Sequence, residues 1–385
     1  MRVTILDHSG QPGGGQLGLK RYMEGTSSHS LRAVFVTGGT VATSLANQGL
    51  DVRVIDRRNS FKRSDLWTHG RSVLSSILEG RPECVLVNSA AAAKVIAPHL
   101  GRIRVPVLYY MRTDLSRESL GRVKQAVLSR LVYSRFDGFV ANSTWTHNSR
   151  PTLLSEKPIR IAYPISGVTA GPTNAVNPSW PRVPNQLRIV SLSRPEPWKG
   201  LVELVQAVEL AAPQLRLRGV EPRLDLYGGD VLSDAAYVKK LESLVANASF
   251  EAHLRPHVSD VSSVLSSADV LVLSSIKPEP FGQVLVQGLQ AGALVIAPDV
   301  GGPTDVIHHG LNGLSYTSGS VEAMSTQISD AVESKTRSRE LIRHGNDTVR
   351  AFSDASTAPS LDKAIRELVR ECLTARPGRD RLGRV

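Results

Sequence analysis

Two stretches of the chain hold residue types suited to a phosphorylated substrate. The first is Arg194-Pro195-Glu196-Pro197-Trp198-Lys199-Gly200. An arginine and a lysine five positions apart, on a turn that a glycine closes, can straddle a diphosphate. Arginine offers a fixed fork and lysine a mobile point charge. The second is residues 274–282, SSIKPEPFG, a polar loop with one carboxylate, Glu279, and a terminal Gly282. A helical stretch opens at Gln283 and Val284. A helix start presents unbonded N–H groups and a partial positive charge, which suits phosphate. A third stretch, residues 8–15, is glycine-rich and follows an apolar run.

These residues need a scaffold that brings loops together. The apolar runs 270–273 and 293–297 read as buried parallel strands on either side of a helix over 283–291, which is a βαβ unit. Further runs at 2–7, 33–37, 51–55, 84–88, 105–110, 138–141, 187–192 and 223–228 alternate with helical stretches such as 16–24, 71–79, 122–134 and 237–247. That alternation predicts an α/β fold with parallel sheets covered by helices on both faces. Ligands of open α/β sheets bind outside the carboxyl ends of the strands, where these polar loops lie. Residues 168–186 contain four prolines and no regular period, and read as a linker. Residues 361–373 form an amphipathic helix with Ile365, Leu368 and Val369 on one face. The basic tail 376–385 is expected to be disordered.

The first half offers less. Gly13, Gly15 and Gly18 satisfy G-x-G-x-x-G, but a dinucleotide fold sets its glycines directly after the strand and an acid at the end of the second strand. Here residues 8–12 intervene and the second strand ends in Thr37-Gly38. A nucleotide-dependent oxidoreductase is therefore the lesser reading. Arg112 follows a strand; it could receive an anionic acceptor, or its loop could hold an ion pair of Asp114 with Arg112 or Arg117. His257 is a lone histidine on a loop. His308 and His309 are adjacent, so their side chains diverge and make a poor metal site.

Residues 279–287 resemble the "E, seven residues, E" signature of retaining glycosyltransferases of family four, with Gln287 at the second position. The Arg194 and Lys199 spacing matches the same family, as do Gly14-Gly15-Gln16, Asn142-Ser143 and Gly301-Gly302 with Asp305 three positions on. The resemblance implies the GT-B fold, two facing Rossmann-like domains with a C-terminal helix crossing back to the first. Its implied divisions are an acceptor domain over 1–167, the linker 168–186, a donor domain over 187–352, the returning helix in 353–375 and the tail. It implies transfer of a sugar from a UDP- or GDP-type nucleotide sugar to an acceptor hydroxyl. Arg194 and Lys199 would neutralise the diphosphate. Glu279 and the backbone N–H groups of Phe281, Gly282, Gln283 and Val284 would hold the sugar. Gln287 would meet the ribose, and His257, Val258, Gly14 and Gly15 would border the donor. Gln16, Arg112, Asp114 and Asn142 would lie on the acceptor side. Gln287 also leaves open a catalytically idle binder or scaffold of the same fold. No Asp-x-Asp pattern accompanies these motifs, so the two fixed cations are expected to replace a metal, with the nucleotide sugar as co-substrate and no cofactor.

The chain has 385 residues and a net charge of +11. Residues 1–170 hold 23 Lys+Arg and 11 Asp+Glu, whereas residues 171–385 hold 23 and 24. The excess charge on the first half favours an anionic partner: acidic lipid or a phosphorylated, lipid-linked acceptor. A merely solvated basic surface would read the same way. No nucleic-acid-binding motif is present, so nucleic acid is not expected. The first residues read directly as a strand, and Cys84 and Cys372 show no metal or redox spacing. The expectation is a cytoplasmic protein, peripheral at the inner membrane face if the anionic partner is lipid.

Overall fold

Strands of three to eight residues, apolar at the centre of each sheet and more polar toward the edge strands Asp51–Asp56 and Glu251–Arg255, form two all-parallel sheets in the computed structural model of the chain, which describes residues 1–25, 28–62, 64–169, 180–228 and 234–375. Gly229, Asp230, most of the expected linker and the tail 376–385 lie outside the described residues. The chain divides into two units, Met1–Gly167 with the segment from Asp354 onward, and Val168–Ser353.

The first unit holds β1 (Arg2–Ser9), β2 (Ser30–Thr37), β3 (Asp51–Asp56), β4 (Cys84–Val87), β5 (Val107–Met111), β6 (Gly138–Ala141) and β7 (Ile159–Ile161). Their order across the sheet is β3-β2-β1-β4-β5-β6-β7. The second unit holds β8 (Gln186–Leu192), β9 (Glu221–Tyr227), β10 (Glu251–Arg255), β11 (Val270–Val272), β12 (Leu294–Pro298) and β13 (Leu314–Tyr316), ordered β10-β9-β8-β11-β12-β13. Both sheets repeat the Rossmann order, in which the third and second strands flank one side of the first and the fourth begins the other side. The direction of winding reverses between β1 and β4, and again between β8 and β11. Ligands of open α/β sheets bind outside the strand ends at such reversals.

Strand periodicity sets the layers. Val3 and Ile5 of β1, with Ala33 and Phe35 of β2, face one apolar cluster, while Leu6, Val34 and Val36 face the other. β4 and β12 are buried at every position, which is why their sequences read as unbroken apolar runs.

The helix Asp354–Thr374 belongs to the first unit. Ala358, Leu361, Ile365, Leu368 and Cys372 form a stripe at helical spacing buried with Ile5, Leu86, Leu108 and Val140. Asp362, inside this stripe, accepts hydrogen bonds from the Tyr22 hydroxyl and from the Ser28 N–H and hydroxyl, both at 2.7 Å. Arg160 bridges Glu367 and Glu371 at 3.1 and 3.0 Å. The helix begins seven residues ahead of the amphipathic stretch seen in the sequence and runs through Pro359. Tertiary packing of Ala358 offsets the hydrogen bond that a proline forgoes. Cys84 and Cys372 are both buried free thiols of this same cluster.

Candidate functional site

In the second unit, the loops after β8 and β11 touch backbone to backbone. Gly200 sits at φ +65° directly after the 3-10 turn Pro197–Lys199, and a Cβ there would lie 2.0 Å from the Ser274 carbonyl oxygen. Only glycine permits that approach. The Ser274 hydroxyl donates to the Lys199 carbonyl at 2.8 Å, and the Ile276 N–H donates to the Trp198 carbonyl at 3.0 Å. These bonds fix Lys199. Its Nζ meets Glu279 Oε2 at 2.6 Å and stands 3.9 Å from the centre of the Trp198 ring. The Ser275 hydroxyl donates to the same carboxylate oxygen at 3.0 Å. The lysine and glutamate side chains are 13% and 15% exposed. An ion pair so far removed from water is weakly screened, and the lysine keeps donors for an incoming anion.

The loop bearing Glu279 is clamped from its other side. The Gly302 N–H donates to the Glu279 carbonyl at 2.7 Å, and a Cβ on Gly302 would lie 2.3 Å from the Pro280 carbonyl oxygen. The Phe281 ring is buried and lies 5.9 Å from Phe352, so this residue anchors the loop and offers a ligand only its backbone. The helix Gln283–Gln290 starts after Gly282 with no side-chain cap. Half-buried Gln283 and Gln287 lie one turn apart on one face of it.

Arg194 differs from the joint clamp that its spacing suggests. Its side chain is 55% exposed and pairs with Glu196 at 3.0 Å, and Glu196 also accepts from the Trp198 indole N–H. Each cation is thus held by its own acid, Lys199 inside the loop junction and Arg194 at its rim. His257 and Val258 follow β10, the edge strand two places from β8, with His257 exposed and Val258 half-buried. Asp305 ends the 3-10 turn Gly302–Asp305, half-buried. The turn Gly310-Leu311-Asn312-Gly313 has a structural role: Asn312 accepts from the His308 N–H at 2.7 Å and donates to the Val306 carbonyl and Thr348 hydroxyl at 2.8 and 2.9 Å.

The β1/β4 reversal in the first unit holds a polar network of another kind. Asp7 is fully buried near the end of β1. Its Oδ1 accepts from the His8 N–H at 2.6 Å and the Gln16 amide at 3.0 Å, and contacts His8 Nδ1 at 2.8 Å. Its Oδ2 accepts from the Asn88 amide at 2.6 Å. Burial pushes this carboxyl up, but the hydrogen bonds from His8, Asn88 and Gln16 and the nearby imidazole outweigh it and hold the group below the usual carboxylate value. Asn88 then accepts from Arg112 Nε at 2.7 Å, and the guanidinium stacks 4.1 Å from the centre of the Tyr110 ring. His8 Nδ1 also lies 2.9 Å from the Ser89 hydroxyl, and its ring meets Phe61 edge-on. Gly15, at the start of the helix Gly14–Glu24, gives the Arg112 stem room: a Cβ on it would lie 3.3 Å from Arg112 Cδ.

Of the acceptor-side residues, the structure brings Gln16 and Arg112 together, with Gly14 and Gly15 beside them. The loop pairing of Arg112 with Asp114 is corrected: Arg112 turns to Asn88, and Asp114 caps its own turn by accepting from the Ser116 N–H at 2.7 Å. Asn142 is buried and accepts from the Thr146 hydroxyl at 2.9 Å, so its amide supports the capping box of the next helix. Asp7, His8 and Asn88 escaped the sequence reading. Their signal is that polar residues end two apolar runs, but which strands lie side by side is not written in either run.

Two Rossmann-like units with this strand order are the GT-B fold. Structural likeness spans nearly the whole chain. The structure superimposes on Anabaena HepE in complex with UDP-glucose with a TM-score of 0.76 at 21% identity, covering 97% of this chain and 100% of that one. Sucrose-phosphate synthase from Thermosynechococcus elongatus gives 0.72 at 15% identity, covering 96% and 100%. The family model of group 1 glycosyl transferases matches residues 175–348, which lie within the second unit. EpsD of Bacillus subtilis, a glycosyltransferase by name, is 28% identical over 163 residues, which are 42% of this chain and 40% of that protein. This match thus spans about two fifths of that relative's length. Among the described residues no helix is long and apolar enough to cross a membrane.

Proposed function

We propose that the protein is a glycosyltransferase that moves a sugar from a nucleotide-diphosphate sugar, of UDP or GDP type, to an acceptor hydroxyl with retention of anomeric configuration. The observation that carries the reading is the Lys199–Glu279 pair at the β8/β11 reversal, within the segment that matches the group 1 family. HepE is found in complex with UDP-glucose and with UDP, which supports a nucleotide-sugar donor. In the reaction, the acceptor oxygen bonds to the anomeric carbon as the carbon–oxygen bond to the diphosphate breaks. The hydroxyl proton leaves with the diphosphate. Lys199, Arg194 and the start of the helix Gln283–Gln290 offset the charge that develops on the leaving group. Glu279 and the backbone around Phe281 and Gly282 hold the sugar. Fixed cations in this role make a divalent metal unnecessary. The reading places the acceptor at the basic first unit, beside Arg112 and Asn88, and makes it anionic or lipid-linked. Such an acceptor puts the protein at the cytoplasmic face of the inner membrane.

The test is a panel of UDP- and GDP-sugars. One donor should raise the melting temperature, because a ligand bound only by the native state stabilises it. The same donor should be hydrolysed slowly without acceptor, and proton NMR should find the released sugar in its starting anomeric form first. A chain that neither binds nor turns over any nucleotide sugar refutes the proposal. Gln287 favours one second reading, an idle binder. A wild type that binds a donor without turnover, and gains turnover with Gln287→Glu, would establish it.

A further inference from the structure

The helix Arg122–Leu131 in the first unit buries two polar residues and turns an apolar stripe outward between exposed cations. Gln125 and Ser129 are buried, and half-buried Leu128 packs against the core. Gln125 Nε2 donates to the Leu115 carbonyl at 2.7 Å, and its Oε1 accepts from Arg117 at 3.3 Å. The orientation is therefore fixed by specific bonds. Outside stand Val123, Val127 and Leu131, 79%, 47% and 58% exposed. A spacing of four makes them one stripe along the helix. At about 100° per residue, Arg130 falls on one side of the stripe and Lys124 on the other. Arg122 opens the helix, which contains no acidic residue. Exposed Arg117, Glu118 and Arg135 stand just beyond its ends. The turn Thr152–Leu154 lies against it and exposes Leu153.

We propose that this face docks the protein on an anionic bilayer, with Val123, Val127 and Leu131 entering the boundary between headgroups and acyl chains. Lys124 and Arg130 would then meet lipid phosphates. Cations flanking a narrow apolar stripe are the pattern of a helix lying in the plane of an interface. A bilayer needs no shape complementary to a convex helix, whereas a protein partner does. A second copy of this chain is disfavoured by charge, because residues 1–170 carry a net +12 from 23 basic and 11 acidic residues. The inference stands independently of the proposed sugar transfer. It would serve that reaction by holding the basic unit near lipid-linked acceptors.

The experiment is co-sedimentation of the full chain with vesicles. Wild type should pellet with phosphatidylcholine–phosphatidylglycerol vesicles, not with phosphatidylcholine alone, and release should be steep as salt rises toward about 150 mM. Val123→Gln with Val127→Gln should lower partitioning about tenfold by removing apolar contact. Lys124→Gln with Arg130→Gln should lower it about 30-fold at low salt. All four side chains are exposed, so the melting temperatures should match wild type, and nucleotide-sugar hydrolysis should be unchanged. That last readout separates failure of docking from failure of the transfer reaction. Unaltered vesicle binding by the valine variant would overturn the assignment to this helix. Equal binding to neutral vesicles would overturn the anionic surface. A wild-type dimer that the valine variant splits, without vesicle binding, would give the face to a second copy.

Discussion

At the β8/β11 reversal the charged groups form two separate pairs, Lys199 with Glu279 inside the loop junction and Arg194 with Glu196 at its rim. At the β1/β4 reversal the polar groups form a chain of six: Asp7, His8, Gln16, Asn88, Ser89 and Arg112. Strand order is the same in both units, so the scaffold does not explain the contrast. In the second unit a cation and an anion sit together with little water and carry opposite charges that a substrate can separate. In the first, the acid is fully buried and its oxygens are already occupied by His8, Gln16 and Asn88. Its role is to orient those groups, and Arg112 beyond Asn88 is the part left half-exposed. The comparison teaches that one strand order can support a site built for charge neutralisation and a site built for positioning.

The sharpest way to break this contrast is Lys199→Ala. It leaves Glu279 with the Ser275 hydroxyl and removes a preorganised charge from the leaving group, so turnover should drop by about 3 kcal/mol, a hundredfold or more. The fold should stay intact. Steady-state kinetics with the identified donor is the check, and wild-type turnover would end the assignment.

Asp7→Asn should instead act on stability. The substitution replaces an acceptor of several hydrogen bonds by a group that faces other amides with donors of its own, at a cost of roughly 2–3 kcal/mol in urea unfolding. The pH dependence has a definite sign. A carboxyl whose folded value is depressed contributes stability that is fully present above its unfolded value, about 3.9, and is lost as pH falls through the lower folded value. The Asn variant should lack that part of the acid-side decline. An identical slope in wild type and variant would show that Asp7 is not the responsible group.

Gln287→Glu tests a smaller difference. A charged hydrogen bond exceeds a neutral one by ~1–2 kcal/mol, so the donor KM should fall up to ~30-fold with little change in kcat. A large gain in kcat would instead place position 287 at the reacting sugar. The smallest effect is expected from a chelator. If Lys199 and Arg194 supply the positive charge, saturating EDTA should leave turnover unchanged, and loss rescued by Mg²⁺ or Mn²⁺ would contradict the proposal.

The alternation of apolar runs and helical stretches determined the class of fold, because strands buried on both faces must be apolar throughout. Local spacing also marked Arg194, Lys199, Glu279 and Gly282, since each lies on a loop within a few residues of the strand or helix that carries it. What the sequence left undecided was long-range pairing. Nothing in residues 193–200 states that Lys199 closes on a carboxylate eighty positions away, or that Arg194 turns aside to Glu196. Nothing near Asp7 announces Asn88, which reaches it only because β4 lies beside β1. Spacing in the sequence groups Val123, Val127 and Leu131 on one side of a helix without saying which way that side turns. Its direction was decided by Gln125, which bonds the Leu115 carbonyl and Arg117 inside, and by Leu128, which packs on the core, so that the stripe turned to solvent. Periodicity fixes which residues share a face; only tertiary packing, through the partners each face meets, decides which face is buried.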